Sequence, residues 1–276
     1  MNFPITRNRN AETYLEFLLI SAVTTILGVR FFLHITNYPQ VGGAGLHIAH
    51  MLWGGLFMIA SIVLLLSFLN KSIYLAATIA GGIGFGLFID ELGKFITKDN
   101  DYFFEPAIAI IYIVFILLYL AIRLIQKQPA PHPSEGIAVP KKLQDIYVHL
   151  LEKKLVIKIV IAVFTLHALI DLYNTLDIIS LFFRLSEFSL SFTDWGELLS
   201  VFISTTLVVI GIVRLKFSRL AGYKLFQYAL LVSIFFTQFF NFYKVQLSAV
   251  SVLLFNIVML FAIKFIIQKE ERIIAS

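Results

Sequence analysis

The sequence predicts an all-α fold, a polytopic membrane bundle of eight transmembrane helices. Three observations carry that prediction. Of 276 residues, 59% are hydrophobic and 14% charged, whereas a soluble domain carries about a quarter charged residues. The apolar residues gather in long uncharged runs such as 59–69 and 107–122. Within these runs they follow one another without the alternation a membrane barrel needs, which leaves helices. The same arithmetic excludes an ordinary water-soluble enzyme, a disordered chain and a nucleic-acid-binding domain, so nucleic acid is not an expected partner and the lipid bilayer is.

A hydrocarbon core of roughly 30 Å needs about 20 mostly apolar residues per helix. The first span, 14–34, follows Arg7 and Arg9. No small-residue cleavage site follows it, so it reads as a retained span. Further spans cover 47–69, 73–95 and 104–125. The connection 126–154 opens with Pro129, Pro131 and Pro133, which prevent helix. It closes with Leu143, Ile146, Tyr147, Leu150 and Leu151 at helical spacing, an amphipathic helix on the inner leaflet or an extension of the next span. The fifth span, 155–175, precedes a second amphipathic stretch with Asp177, Ser180, Arg184 and Glu187 on one stripe, read as an interfacial helix or a lid. The last spans are 195–215, 222–243 and 247–268. The chain thus divides into a four-helix half (1–125), a linker (126–154) and a second four-helix half (155–276).

Of the 22 lysines and arginines, 17 fall on one side of these spans and five on the other: Arg30, Lys94, Lys98, Arg184 and Lys244. Positive loops stay in the cytoplasm, so both termini are expected there, in a plasma (inner) membrane. The net charge of +5 is therefore a topology signal.

The halves share a rhythm that suggests two parallel four-helix repeats. Arg30, His34 and Asn37 have the spacing of His167, Asp171 and Asn174. His47 and His50 open the second span as Asp194 and Glu197 open the sixth. The same offset sets Glu91 opposite Gln238 and Lys94 opposite Asn241.

Ionisable groups inside spans are costly, and each is a candidate for function. His47 and His50 lie one turn apart and have the spacing to share a metal. The third span is cleared by Gly82 and Gly86, a small-xxx-small pattern that admits a neighbouring helix, and Asp90 and Gly93 continue that face. Asp90 is therefore expected to point into the bundle, with Lys94 one turn on as an ion-pair partner. Asp171 stands one turn from His167 and is placed to orient its ring. With no cysteine in the chain, thiolate metal sites, disulfides and covalent haem attachment are excluded.

These residues favour a carrier or channel-like protein with an outward-facing polar pocket that handles a cation, protons or another small solute. His47, His50, Asp90, Glu91, His167, Asp171 and Glu197 would do the binding. Arg30, His34, Lys94, Asn174, Asp194, Gln238 and Asn241 complete the pocket. A second reading is a membrane-embedded metal-dependent hydrolase or transferase at the outer leaflet. There a divalent ion such as zinc would be held from among His47, His50, Asp90 and His167, with Glu91, Asp171 or Glu197 as general base. A b-type haem between two of His34, His50 and His167 and a non-catalytic assembly component are the remaining readings. No P-loop, G-x-S-x-G, H-E-x-x-H or dinucleotide fingerprint is present. The topology is checked with insertion reporters: a cytoplasm-only reporter is expected to be active at the carboxy terminus and silent at Asp99.

Overall fold

Backbone that cannot reach water must bond within its own helix, and all regular structure among the described residues is helical. The computed structural model describes residues 8, 10–37, 49–102, 104–126, 154–184 and 191–275. Three sequence expectations lie outside the described residues: His47, the linker helix around 143–151, and the far end of the amphipathic stretch beyond Arg184. The chain divides into two compact units, 1–138 and 139–276.

In the first unit, α1 (Ala11–Ile35), α2 (His50–Ser67), α3 (Lys71–Asp90), α4 (Leu92–Ile96) and α5 (Pro106–Gln126) follow one another. α3 is the hub and packs along both α1 and α2. Its glycines make that possible. A Cβ on Gly84 would sit 2.6 Å from the Gly54 carbonyl oxygen, and one on Gly54 would meet the Gly84 oxygen at the same distance. On the other face, a Cβ on Gly86 would lie 2.6 Å from the Ala22 oxygen. Both helices therefore touch α3 backbone to backbone, as the small-xxx-small pattern implies.

The expected third span, 73–95, is not continuous. α3 stops at Asp90, Glu91 takes a turn conformation (φ −87°, ψ 11°), and α4 begins at Leu92. Consecutive residues of a helix point about 100° apart. The break instead lets Asp90 and Glu91 both turn inward.

In the second unit, α6 (Lys154–Arg184) has 31 residues, ten more than the span expected there. No Pro or Gly interrupts 154–184, so the expected separate interfacial helix is, as far as Arg184, a continuation of α6. α7 (Phe192–Leu215) starts at a capping box in which the Ser191 hydroxyl accepts from the Asp194 N–H and Asp194 accepts from the Ser191 N–H. α8 (Arg219–Val232) is capped by Ser218 and runs through a π-helical turn, Ser233–Thr237, into α9 (Gln238–Val245). A 3-10 turn, Gln246–Ala249, leads to α10 (Val250–Ala275).

Among the described residues, seven helical stretches are long and apolar enough to cross a membrane, and the last, Arg219–Arg272, covers 54 residues. That stretch folds back on itself at Gln246, whose φ of 49° is rare for a side-chain-bearing residue. Gln238 Nε2 donates to the Ala249 carbonyl across the turn, and Asn256 Nδ2 donates to Ser233 Oγ at 3.0 Å. Residues 23 apart in sequence meet this way only if the chain has reversed. The unit's core is apolar: Phe226, Leu230 and Ile263 have no exposed surface, and Phe164 meets Phe226 edge-on at 6.0 Å. Here the third helix packs on the second and fourth, whereas in the first unit it packs on the first and second.

Gly84→Val is expected to destabilise the protein by about 1–3 kcal/mol through overpacking. Gly55→Ala, where an added methyl meets nothing within 4 Å, is expected to be neutral or stabilising by up to ~1 kcal/mol. Thermal unfolding of the detergent-purified variants checks both.

Candidate functional site

The first unit's buried charged side chains, Arg30, Asp90 and Glu91, meet where α1 ends, α2 begins and α3 breaks. Asp90 has no exposed surface, and an unpaired buried carboxylate is prohibitively costly. It is met from three directions. The buried Arg30 of α1 donates from Nε to Asp90 Oδ1 and from Nη2 to the Asp90 carbonyl, where a cation also complements the helix end. Tyr102, from the loop after α4, donates its hydroxyl to Asp90 Oδ2 at 2.7 Å. His50, at the start of α2, places Nε2 3.1 Å from the same oxygen.

Glu91 is 1% exposed. Its Oε1 lies 3.0 Å from His50 Nδ1 and 3.1 Å from Lys94 Nζ, while Oε2 is buried without a hydrogen-bond partner. His50 thus bridges two carboxylates, one at each ring nitrogen. The Tyr102 ring covers the group, 5.1 Å from the Arg30 guanidinium and 5.3 Å from the Lys94 ammonium, within cation–π range. Gly93 lets this loop close: a Cβ there would stand 2.7 Å from the Asp101 oxygen.

The chemistry follows from counting protons. A neutral imidazole has one N–H and one lone pair. Two nitrogens facing two ionised carboxylates therefore leave a lone pair against an oxygen. One added proton, on the ring or on a carboxyl, converts that repulsion into a hydrogen bond. Arg30 and Lys94 balance Asp90 and Glu91, so this proton sets whether the centre is neutral or positive.

The second unit holds two further groups. At its rim, Lys244 of α9 reaches Asp194 Oδ1 at 2.6 Å and Glu197 Oε2 at 2.5 Å, tying α9 to α7. Deeper along α6, His167 Nδ1 meets Asp171 Oδ2 at 2.9 Å, and the ring stacks on Phe255 at 4.5 Å. His167 and Asp171 border a small polar pocket with Ser204, Thr205, Ser233 and Asn256. Asp171 also lines a second cavity of about 200 Å³, with Asn174, Glu197 and Asn241.

The sequence-predicted residues separate accordingly. Arg30, His50, Asp90, Glu91 and Lys94 come together in the first unit. Lys94, however, pairs with Glu91 three residues back, because Arg30 has taken Asp90. His34 is exposed and joins nothing in this cluster. His167, Asp171, Asn174, Glu197 and Asn241 border the second unit's cavities, and Asp194 stands at the rim with Lys244. Gln238 is buried and spans the 246–249 turn.

Among the described residues, no three His, Asp or Glu side chains are arranged to hold a metal ion. His50 has both ring nitrogens in contact with carboxylates. Sequence reasoning missed two things: Tyr102, in the loop after α4, and the mid-span set Ser233 and Asn256. A lone asparagine inside the otherwise apolar run 252–263 was the available signal for the latter.

The chain matches no protein-family model, no curated protein and no solved structure. Its own geometry carries the functional argument. Removing one member of a buried ion pair leaves the other uncompensated, at a cost of about 3–5 kcal/mol. Asp90→Leu alone and Arg30→Met alone are each expected to lower stability by that order. The double variant is expected to recover most of the loss, read as a double-mutant cycle on thermal midpoints.

Proposed function

We propose that the chain is an eight-crossing membrane protein with both termini in the cytoplasm of a plasma membrane, and that it acts as a carrier or channel-like protein for protons or a small cation. The folded-back stretch supports eight crossings. Residues 219–245 and 250–275 are each about 40 Å long at 1.5 Å per residue, enough for a core of roughly 30 Å. The outer face of α2 supports the bilayer: Ile59, Ile62 and Leu66 are exposed, with Leu66 at 83%, and a continuous apolar surface needs an apolar neighbour. The asymmetry of basic residues supports the orientation.

The observation that carries the reading is the His50 bridge. A ring whose two nitrogens meet two buried carboxylates, flanked by two fixed cations, is a place that takes up and releases one proton. The polar side chains around His167 extend the ionisable zone of the second unit toward mid-span, as proton relays require. A metal-dependent hydrolase gains no comparable support: among the described residues, no three His, Asp or Glu side chains are arranged to hold a metal ion.

The test is proton flux into liposomes containing the full chain, read with an internal pH dye under an imposed potential. His50→Gln keeps two hydrogen-bonding ends but cannot carry the charge. It is expected to reduce flux at least tenfold while leaving accumulation and thermal midpoint unchanged. Glu91→Gln is expected to reduce flux likewise, with a lowered thermal midpoint because its ion pair with Lys94 is lost. Flux that persists undiminished in both variants overturns the proposal, as does wild-type protein that moves no protons.

A further inference from the structure

The second unit contains a cavity that the proton centre of the first does not use. It lies at the end of the unit where the chain reverses, between α6, α7, α9 and the start of α10. Its volume is about 200 Å³, below the range of about 300–1,000 Å³ typical of drug-sized ligands. Six oxygen-bearing side chains line it: Asp171, Asn174, Glu197, Thr237, Asn241 and Ser248. Val201, Val245 and Val252 supply the rest of the wall that matters here.

Charge selects the ligand's sign. Asp171 and Glu197 line the cavity, and Asp194 stands beside it. Lys244 alone among nearby lysines is paired with this group, through Asp194 and Glu197, and His167 faces Asp171. The local balance favours an added cation.

The kind of donor selects its chemistry. Among the described residues, no aromatic side chain lines the cavity, and quaternary ammonium groups are recognised by aromatic faces. The walls offer acceptors instead: carboxylates, amide oxygens and hydroxyls. A primary ammonium presents three N–H donors to such walls. Lys244, whose ammonium is held by Glu197 at 2.5 Å, already shows that fit at the cavity's edge. The valines are placed to cover a short alkyl body, where an inorganic ion would leave them in contact with nothing.

We propose that this cavity binds a small primary alkylammonium ion, with its ammonium between Asp171 and Glu197 and its alkyl group against the valines. The site deepens the reading of the chain as a cation-handling protein, and rests on it only for the direction of transport. Asp171 belongs both to this cavity and to the polar pocket beside His167. Occupancy above is therefore felt by the His167–Asp171 pair below. One turn along α6 from His167, Phe164 packs with Val208 and Phe226 in the apolar core.

The experiment is calorimetric titration of the full chain in detergent with n-propylammonium chloride at constant ionic strength. Saturable binding is expected in the wild type, weakened at least tenfold in Asp171→Asn and Glu197→Gln and abolished when Val252→Phe fills the space. Asn174→Leu, at an exposed position of the wall, removes an acceptor without touching packed interior and is expected to weaken binding several-fold. Sodium, tetramethylammonium and n-propanol are expected to bind at least tenfold more weakly. Equal binding by any of the three overturns the proposal, as do absent saturation and binding unchanged in Val252→Phe. His50→Gln separates the two readings. It is expected to lose proton flux and keep propylammonium binding. Wild-type protein that conducts protons but does not bind propylammonium removes this site and leaves the first unit's role standing.

Discussion

A carboxylate sealed from water has to be answered by protein groups, and the first unit is organised around that demand at Asp90. Its partners come from α1, α2 and the loop after α4, so three segments must converge on one side chain. Convergence at hydrogen-bond distance requires backbones closer than ordinary side chains permit. Gly54, Gly84 and Gly86 provide it, and Gly93 admits the loop that carries Tyr102. The interruption of α3 at Glu91 has the same origin. Two adjacent acids cannot both face one imidazole from a regular helix, and the turn at Glu91 resolves the conflict. Glycine placement, helix break and buried charge cluster are one structural solution.

The second unit meets its polar groups differently. Its interior charges are few, and hydroxyls and amides do most of the bonding. The π-helical turn Ser233–Thr237 widens the helix register where Ser233 meets Asn256 and Thr237 donates to Ser200 at 3.1 Å. Such turns recur at functional sites because they redirect side chains without ending the helix. The rim is held by a conventional surface device, Lys244 between two acids, one of which also completes the capping box of α7. The helix partners also differ between units. A shared rhythm in the sequence thus accompanies two distinct ways of packing four apolar segments.

Hydropathy made the long helices legible, because spans of about 20 apolar residues have few other structural solutions. The inward direction of Asp90 was legible for a related reason: small residues one turn apart mark the face that meets a neighbour. Pairing was harder. Arg30 and His34 both lie on the outer turns of α1, and only geometry shows that Arg30 turns to Asp90 while His34 faces outward. Lys94 had two acids within reach, and the arginine's prior claim on Asp90 decided between them. The reversal at Gln246 falls between the expected spans 222–243 and 247–268, whereas the break at Glu91 interrupts a run that hydropathy reads as one span. Ser233 and Asn256 were hidden because single polar residues barely change the mean hydropathy of an apolar run.

The length of α6 has its own consequence. Thirty-one residues make a rod of about 46 Å, against a slab of roughly 30 Å. Hiding it wholly by leaning would take an inclination of about 50°, beyond the 0–40° observed for membrane helices. Its apolar window is Leu155–Asn174, so the surplus belongs to the end that carries Asp177. In a bilayer, about three turns would therefore stand clear of the hydrocarbon, like a post beside the cavity mouth.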